Sequence, residues 1–391
     1  MPPYLAGRER ETREFEKLLE QDVILDNMVL TGLRGVGKTV LLATFRPIAQ
    51  AQQWLWVGTD LSESASLSEE KIARRLLTDL SVVTSSFVVG ERTQRDIGFG
   101  GGEQTVSTML GYDVLAHIYE QTPGLVADKL KRVLELVHEV LQKTAFHGLV
   151  FAYDEAQNLA DHVDKDEFPM SLLLDVFQSI QRRRMPYMLL LTGLPTLFPK
   201  LVEARTFAER MFRVVQLDRL DHDESRAAIL KPLEQLPPGS FPDASVELVI
   251  EDSGGYPYFI QFICREVFDI FVARALSNEE MTVPRTEIIR KLDTDFFAGR
   301  WARATDRQRE LLGVIAHLDH CDGEFTVQEI VEQSRSLVEA RELDKSFSSS
   351  HVNQMLATLT GAGLIYKNRH GKYSFAVPLL GQFIRRQLAE P

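Results

Sequence analysis

Over roughly the first 220 residues, unbroken apolar runs alternate with stretches in which apolar residues recur every three or four positions. Met28-Val29-Leu30, Trp54–Val57, Leu149–Tyr153, Tyr187–Leu191 and Phe212–Leu217 read as strands. Thr12–Glu20, Glu69–Leu80, Leu125–Thr144 and Met170–Arg183 carry the helical period. Strands that are apolar throughout are buried on both faces, and their alternation with helices predicts an α/β layer structure around a parallel sheet. The rhythm breaks at about 82–115. Val82–Val89 is β-prone, Gly98–Gly102 is glycine-rich and Thr105–Leu110 is weakly periodic, so this stretch reads as an inserted hairpin or loop.

From Asp221 to Phe297 only the helical period remains, over Asp223–Glu234, Ala244–Ser253, Tyr258–Ala275 and Arg285–Phe296. Beyond Gly299, Thr305 with Gln308 and Thr326 with Glu329 have capping-box spacing, each opening a helix. Ser348–Thr360 follows with one apolar face. The strand pair Leu364–Tyr366 and Tyr373–Phe375 is joined by the basic turn Lys367–Lys372. Three helices and a hairpin predict a winged helix. The expected division is therefore 1–220 for the sheet core, 221–298 for a helical lid and 299–391 for the winged helix.

Composition changes this picture little. The 391 residues are 44% hydrophobic and 26% charged, which suits a globular chain of two or three domains. A net charge of −12 argues against a surface basic all over, and leaves room for a local basic patch. No apolar run is long enough to cross a bilayer and no export signal is visible, so no membrane partner is expected. Cys264 and Cys321 lack metal-type spacing and read as free thiols, pointing to a reducing cytoplasm.

Chemistry concentrates in Gly32-Leu33-Arg34-Gly35-Val36-Gly37-Lys38-Thr39, which matches G-x-x-x-x-G-K-[ST] between a strand and a helix that begins near Val40. Glycines let backbone amides turn inward around phosphate oxygens, and the following helix directs its positive end at them. Lys38 would reach the β- and γ-phosphates and Thr39 would offer its hydroxyl to Mg²⁺. Such a loop calls for a carboxylate at another strand end, and Asp154 supplies it. Glu155, next in sequence, is placed to activate the attacking water. Thr192 ends the following strand, either bonding the lytic water or γ-phosphate or serving as a plain strand end. Arg210 and Arg213 precede the last strand, either forming surface ion pairs or reaching the γ-phosphate of a neighbouring subunit in an ATP-dependent homo-oligomer. No Asn-Lys-x-Asp guanine-reading motif follows, so ATP is the expected nucleotide.

These motifs resemble the AAA+/STAND branch of P-loop ATPases, close to its archaeal-type and replication-initiator-like members. The resemblance rests on Gly7-Arg8-Glu9, Gly32–Thr39, Asp154-Glu155, Thr192, Gly254-Gly255-Tyr256-Pro257 and the winged helix. It implies ATP and Mg²⁺ as cofactors, Arg8 in the N-terminal nucleotide box and Pro257 against the base. It also implies an arginine on the γ-phosphate from the helix after the glycine turn. Here that helix opens Tyr258-Phe259-Ile260, and Arg265 comes late. This departure favours a switch-like protein in which nucleotide holds domains together. The winged helix offers Asn353 and Gln354 on its recognition-type helix, Lys367, Arg369 and Lys372 on the wing, and Arg385 and Arg386 in the tail. That set suits phosphate contact more than base reading, so double-stranded DNA and a protein partner both stand as expectations.

Overall fold

The computed structural model describes the chain outside residues 1–3, 22, 25, 96–102, 235–240, 242, 278–284, 370 and 390–391. Contacts divide the chain into two compact units. The sheet unit comprises Arg8–Thr31 and Lys38–Gln216, and the helical unit comprises Met1–Gly7, Gly32–Gly37 and Leu217–Pro391.

In chain order the sheet unit runs α1 (Glu9–Leu19), β1 (Asn27–Thr31), α2 (Lys38–Ala51), β2 (Trp54–Val57), α3 (Glu69–Thr84), β3 (Val88–Arg95), β4 (Glu103–Met109), α4 (Tyr112–Gln121), α5 (Val126–Leu141), β5 (Gly148–Tyr153), α6 (Pro169–Arg182), β6 (Tyr187–Gly193), α7 (Leu197–Ala204), α8 (Ala208–Met211) and β7 (Phe212–Gln216). Five strands make one parallel sheet in the order β2-β5-β6-β1-β7. Every residue of β1, β5 and β6 is buried, which is why these segments read as unbroken apolar runs. Helix α5 packs through Leu130, Val133, Leu134, Val137 and Leu141, a spacing that keeps one face on the core. The chain leaves β1 for β2 at one edge, returns through β5 and β6, and adds β7 on the far side of β1. Strand order thus reverses around β1, and in open parallel sheets ligands bind beyond the carboxyl ends at such a point.

One polar group is built into this core. Asn27 is fully buried at the start of β1; its Oδ1 accepts from the Leu189 amide and from Gln181 Nε2, both at 2.7 Å. Its Nδ2 donates to the Met211 carbonyl at 3.3 Å, so this one amide ties β1 to β6, α6 and α8.

The insertion forms an antiparallel hairpin, β3 with β4, and its glycine-rich turn at Gly98–Gly102 lies outside the described residues. Helix α3 runs on to Thr84, so Val82 and Val83 are helical despite their β-propensity. Packing of Leu76, Leu77 and Leu80 into the core, and a bond from Thr84 Oγ1 to the Leu110 carbonyl at 2.7 Å, carry the helix through. Helix α4, buried through Leu115 and Tyr119, has no counterpart in the sequence reading.

The helical unit runs α9 (His222–Leu230), α10 (Asp243–Ser253), α11 (Pro257–Ser277) and α12 (Arg285–Leu292), then a wide π-type turn at Asp293–Ala298 and a short α13 (Gly299–Trp301). The winged helix follows as α14 (Asp306–Ala316), α15 (Val327–Glu339), α16 (Ser349–Gly361), the hairpin β8 (Ile365–Arg369) and β9 (Lys372–Phe375), and α17 (Leu380–Ala389). Both expected capping boxes form, at Thr305 with Gln308 and at Thr326 with Glu329. Phe259 of α11, Leu292 of α12 and Phe297 of the π-type turn share one apolar core with the winged helix, and Phe297 stacks on Phe383 of α17 at 5.1 Å.

Replacing Asn27 with alanine strands the Leu189 amide and the Gln181 side chain without partners. An unsatisfied buried donor costs roughly 1–3 kcal/mol, so the variant should lose on the order of 2 kcal/mol. The readout is a lower urea midpoint, and an unchanged midpoint contradicts the role given to Asn27.

Candidate nucleotide site

The loop Gly32–Thr39 begins where β1 stops. Gly35 and Gly37 take left-handed backbone angles, φ 82° and 93°, which glycine adopts without penalty. These angles turn the chain tightly enough for α2 to start at Lys38. Val36 is buried, while Arg34 is exposed and Lys38 and Val40 are half-buried. The free amides at the start of α2 give this end of the helix its affinity for anions.

Within the sheet unit, the first turn of α2 meets the end of β5. Thr39 Oγ1 donates to Asp154 Oδ2 at 2.6 Å, joining motif residues 115 positions apart. Asp154 is buried, and its Oδ1 also accepts from Thr192 Oγ1 and from the Glu155 amide at 2.8 Å. Its backbone is held from the β2 side, where the Leu61 amide donates to the Asp154 carbonyl at 2.9 Å. A carboxylate this buried is held in place only because several donors meet it. One residue earlier, burial pushes the Tyr153 hydroxyl well above the ordinary phenol range, with Asp79 of α3 beside it, so it stays neutral.

Glu155 leaves the strand in a left-handed conformation, φ 52° and ψ 33°, unusual for a residue with a side chain. That turn leaves Asp154 buried and carries Glu155 out to solvent. Its carboxylate accepts from Gln157 Nε2, while Gln157 Oε1 accepts from the Leu194 amide at 3.1 Å, just past β6. The sequence reading passed over Gln157; its signal is an amide two residues after the acidic pair. It also passed over Asp60, the first acid after β2, whose backbone pairs with Asp154.

Other expected residues lie elsewhere. Arg213 pairs in register with Met28, while Gln216 pairs with Thr31 at the carboxyl end of β1. Three residues of strand put Arg213 about 10 Å short of that end. It forms an ion pair with Glu14 at 3.3 Å. Arg210 precedes β7 and lines a groove with Ile24, Gln178, Gln181 and Phe207. Neither arginine joins the Thr39–Asp154 cluster of its own sheet unit. Arg8 is buried at the start of α1, 4.0 Å from Glu11, and its carbonyl accepts from the Thr12 amide and hydroxyl.

In the helical unit, Pro257 is the first residue of α11, where its missing N–H costs nothing. On the winged helix Asn353, Gln354 and Lys367 are exposed, and Asn353 donates to the Ser349 carbonyl of its own helix at 2.9 Å. Lys372 is half-buried, and the Arg369 side chain lies outside the described residues. The tail arginines do not extend the basic face as expected. Arg385 donates to the Ala316 carbonyl at 2.6 Å, closing the end of α14, and Arg386 pairs with Asp293 at 2.9 Å.

Residues 4–191 match the AAA ATPase domain family, and residues 294–384 match a family described as a domain of unknown function (DUF8462). No curated protein matches the chain. Among solved structures, the ORC2 protein of Aeropyrum pernix in its ADP form is similar at a TM-score of 0.56 and 14% identity, over 100% of this chain and 97% of that one. The same protein in ADPNP–ADP complexes gives a TM-score of 0.51 and 13% identity, over 100% and 97%. Cdc6p of Pyrobaculum aerophilum gives 0.49 and 15%, over 100% and 96%. The chain carries an AAA-type P-loop ATPase domain, in a fold shared with the replication-initiator-like branch.

Changing Thr192 to valine keeps the shape and removes one donor from Asp154. The expected cost is about 1–2 kcal/mol in the absence of nucleotide, read as a lower thermal midpoint. Full stability would mean that Thr192 is a plain strand end.

Proposed function

We propose that this protein is a magnesium-dependent ATPase whose nucleotide state controls its domain arrangement, and through it the binding of double-stranded DNA or a protein partner. The observation that carries the reading is the 2.6 Å bond between the Thr39 hydroxyl and the Asp154 carboxylate. It puts both oxygen donors expected of a P-loop metal site together. Loop amides of Gly35–Thr39 and the Lys38 ammonium hold the phosphates. Magnesium favours hard oxygen ligands and keeps several waters. Among the described residues no group of three or more His, Cys, Asp or Glu side chains could hold a metal, so the remaining ligands come from phosphate and water. When bound, the ion neutralises charge between the β- and γ-phosphates.

In this reading Glu155 takes the proton of the attacking water, and Gln157 orients it. Thr192 fixes Asp154. Pro257 and Arg8 belong to the base side of the site, and Arg210 and Arg213 act on a neighbouring subunit in an ATP-dependent homo-oligomer. No helix among the described residues is long and apolar enough to cross a membrane, which suits a cytoplasmic protein. A second reading has ATP as a structural ligand with little turnover, a nucleotide-gated adaptor. The Gln157 amide favours it, because it occupies the Glu155 carboxylate.

Lys38→Ala should weaken ATP binding by at least about a hundredfold, and Glu155→Gln should bind ATP while losing about 10²–10⁴ in turnover. Calorimetry and steady-state hydrolysis measure the two. Retained turnover by Glu155→Gln removes it from the role of base, and negligible turnover by the wild type selects the second reading. For the winged helix, Lys367→Ala should lower duplex-DNA affinity and reduce the slope of log affinity against log salt by about one. No salt-dependent DNA binding by the wild type leaves the protein partner.

A further inference from the structure

The helical unit holds part of the phosphate loop through an aromatic stack that ends in an arginine. The Tyr258 amide, one of the free donors at the start of α11, donates to the Gly35 carbonyl at 3.1 Å. A side chain on Gly35 would come within 3.1 Å of Tyr258 Cβ, so loop and helix are in direct contact. The Tyr258 ring lies 5.0 Å from Phe296, and Phe296 lies 5.0 Å from both Phe259 and Phe297. On the Phe296 ring rests the Arg300 guanidinium, 4.4 Å from its centroid, with Nη1 donating to the Phe296 carbonyl.

Arg300 is half-buried, yet neither it nor Arg34 of the loop has a carboxylate partner among the described residues. Burial and then the Arg34 charge hold the Arg300 guanidinium below its ordinary pKa, Tyr258 works the other way, and Arg303 adds further positive charge. Like charges gathered on an apolar ring surface raise each other's energy until an anion joins them. With Nη1 committed to the Phe296 carbonyl, Nε and Nη2 of the Arg300 fork remain. That flat pair of donors matches two oxygens of a phosphate.

We propose that Arg300, together with Arg34, receives the terminal phosphate of ATP and so distinguishes ATP from ADP. The assignment rests on the phosphate-loop reading, because Arg34 belongs to that loop. It supplies from the connector between lid and winged helix the arginine that the opening of α11 lacks. Arg300 directly precedes Trp301, which packs edge-on against Phe383 of α17 at 6.0 Å. A phosphate that draws Arg300 therefore pulls on the root of the winged helix.

The test is the affinity of the full chain for ATP and for ADP, each with Mg²⁺, by displacement of a fluorescent nucleotide. Arg300→Ala and Arg34→Ala should each weaken ATP by about tenfold or more and leave ADP within about twofold. Arg300→Lys, which keeps the charge and loses the fork, should fall between. An equal loss for ATP and ADP, or an unchanged ATP affinity, overturns the proposal. Unchanged ADP affinity in the variants shows that they are folded. A wild-type protein that binds neither nucleotide, or a Lys38→Ala variant that binds both normally, brings down the phosphate-loop reading itself, and this inference with it.

Discussion

A single buried carboxylate organises the sheet unit. Asp154 accepts from the first turn of α2 through Thr39, from the end of β6 through Thr192, and from the amide of Glu155. Three segments distant in sequence are thereby drawn to one acid at the carboxyl ends of the strands. An ionised group in such a place is costly unless it is well bonded, so each donor stabilises the others' position. The same group of oxygens is what a divalent ion and a triphosphate need. Structural satisfaction and nucleotide chemistry thus make the same demands on Asp154.

The helical unit makes a different contribution. Residues Gly32–Gly37 pack with it, while Lys38 and Thr39 belong to the sheet unit. The loop is thus a junction in the chain, and whatever straightens or tightens it acts on both sides. Within the helical unit, contact passes from Gly35 to Tyr258, through Phe296 and Phe297, to Phe383 of the winged helix. Rings packed at about 5 Å pass displacement on because cores repack in discrete steps. A nucleotide-dependent change at the loop has a physical route to the winged helix without a hinge in between.

Much of this was legible from the residues. Strands buried on both faces announce themselves as apolar runs, and the phosphate loop, Asp154-Glu155 and both capping boxes could be read from spacing. What could not be read depends on tertiary placement. The helical state of Val82 and Val83 is decided by packing against the core. Register sets Arg213 away from the carboxyl end of β1, and nothing local reveals that. Arg385 and Arg386 look like a basic tail, yet they close a helix end and pair with Asp293. Gln157 and Arg300 were invisible for a related reason, since their significance lies in partners that only the folded chain brings near.

The central claim is that Asp154 serves a metal–triphosphate and does more than hold a corner of the sheet together. The most direct measurement is the Mg²⁺ dependence of ATP affinity in the wild type and in Asp154→Asn, whose amide oxygen still accepts hydrogen bonds. The account predicts that wild-type affinity rises with Mg²⁺, and that the variant needs about tenfold more of the ion for the same rise. Identical Mg²⁺ curves for the two proteins would contradict it.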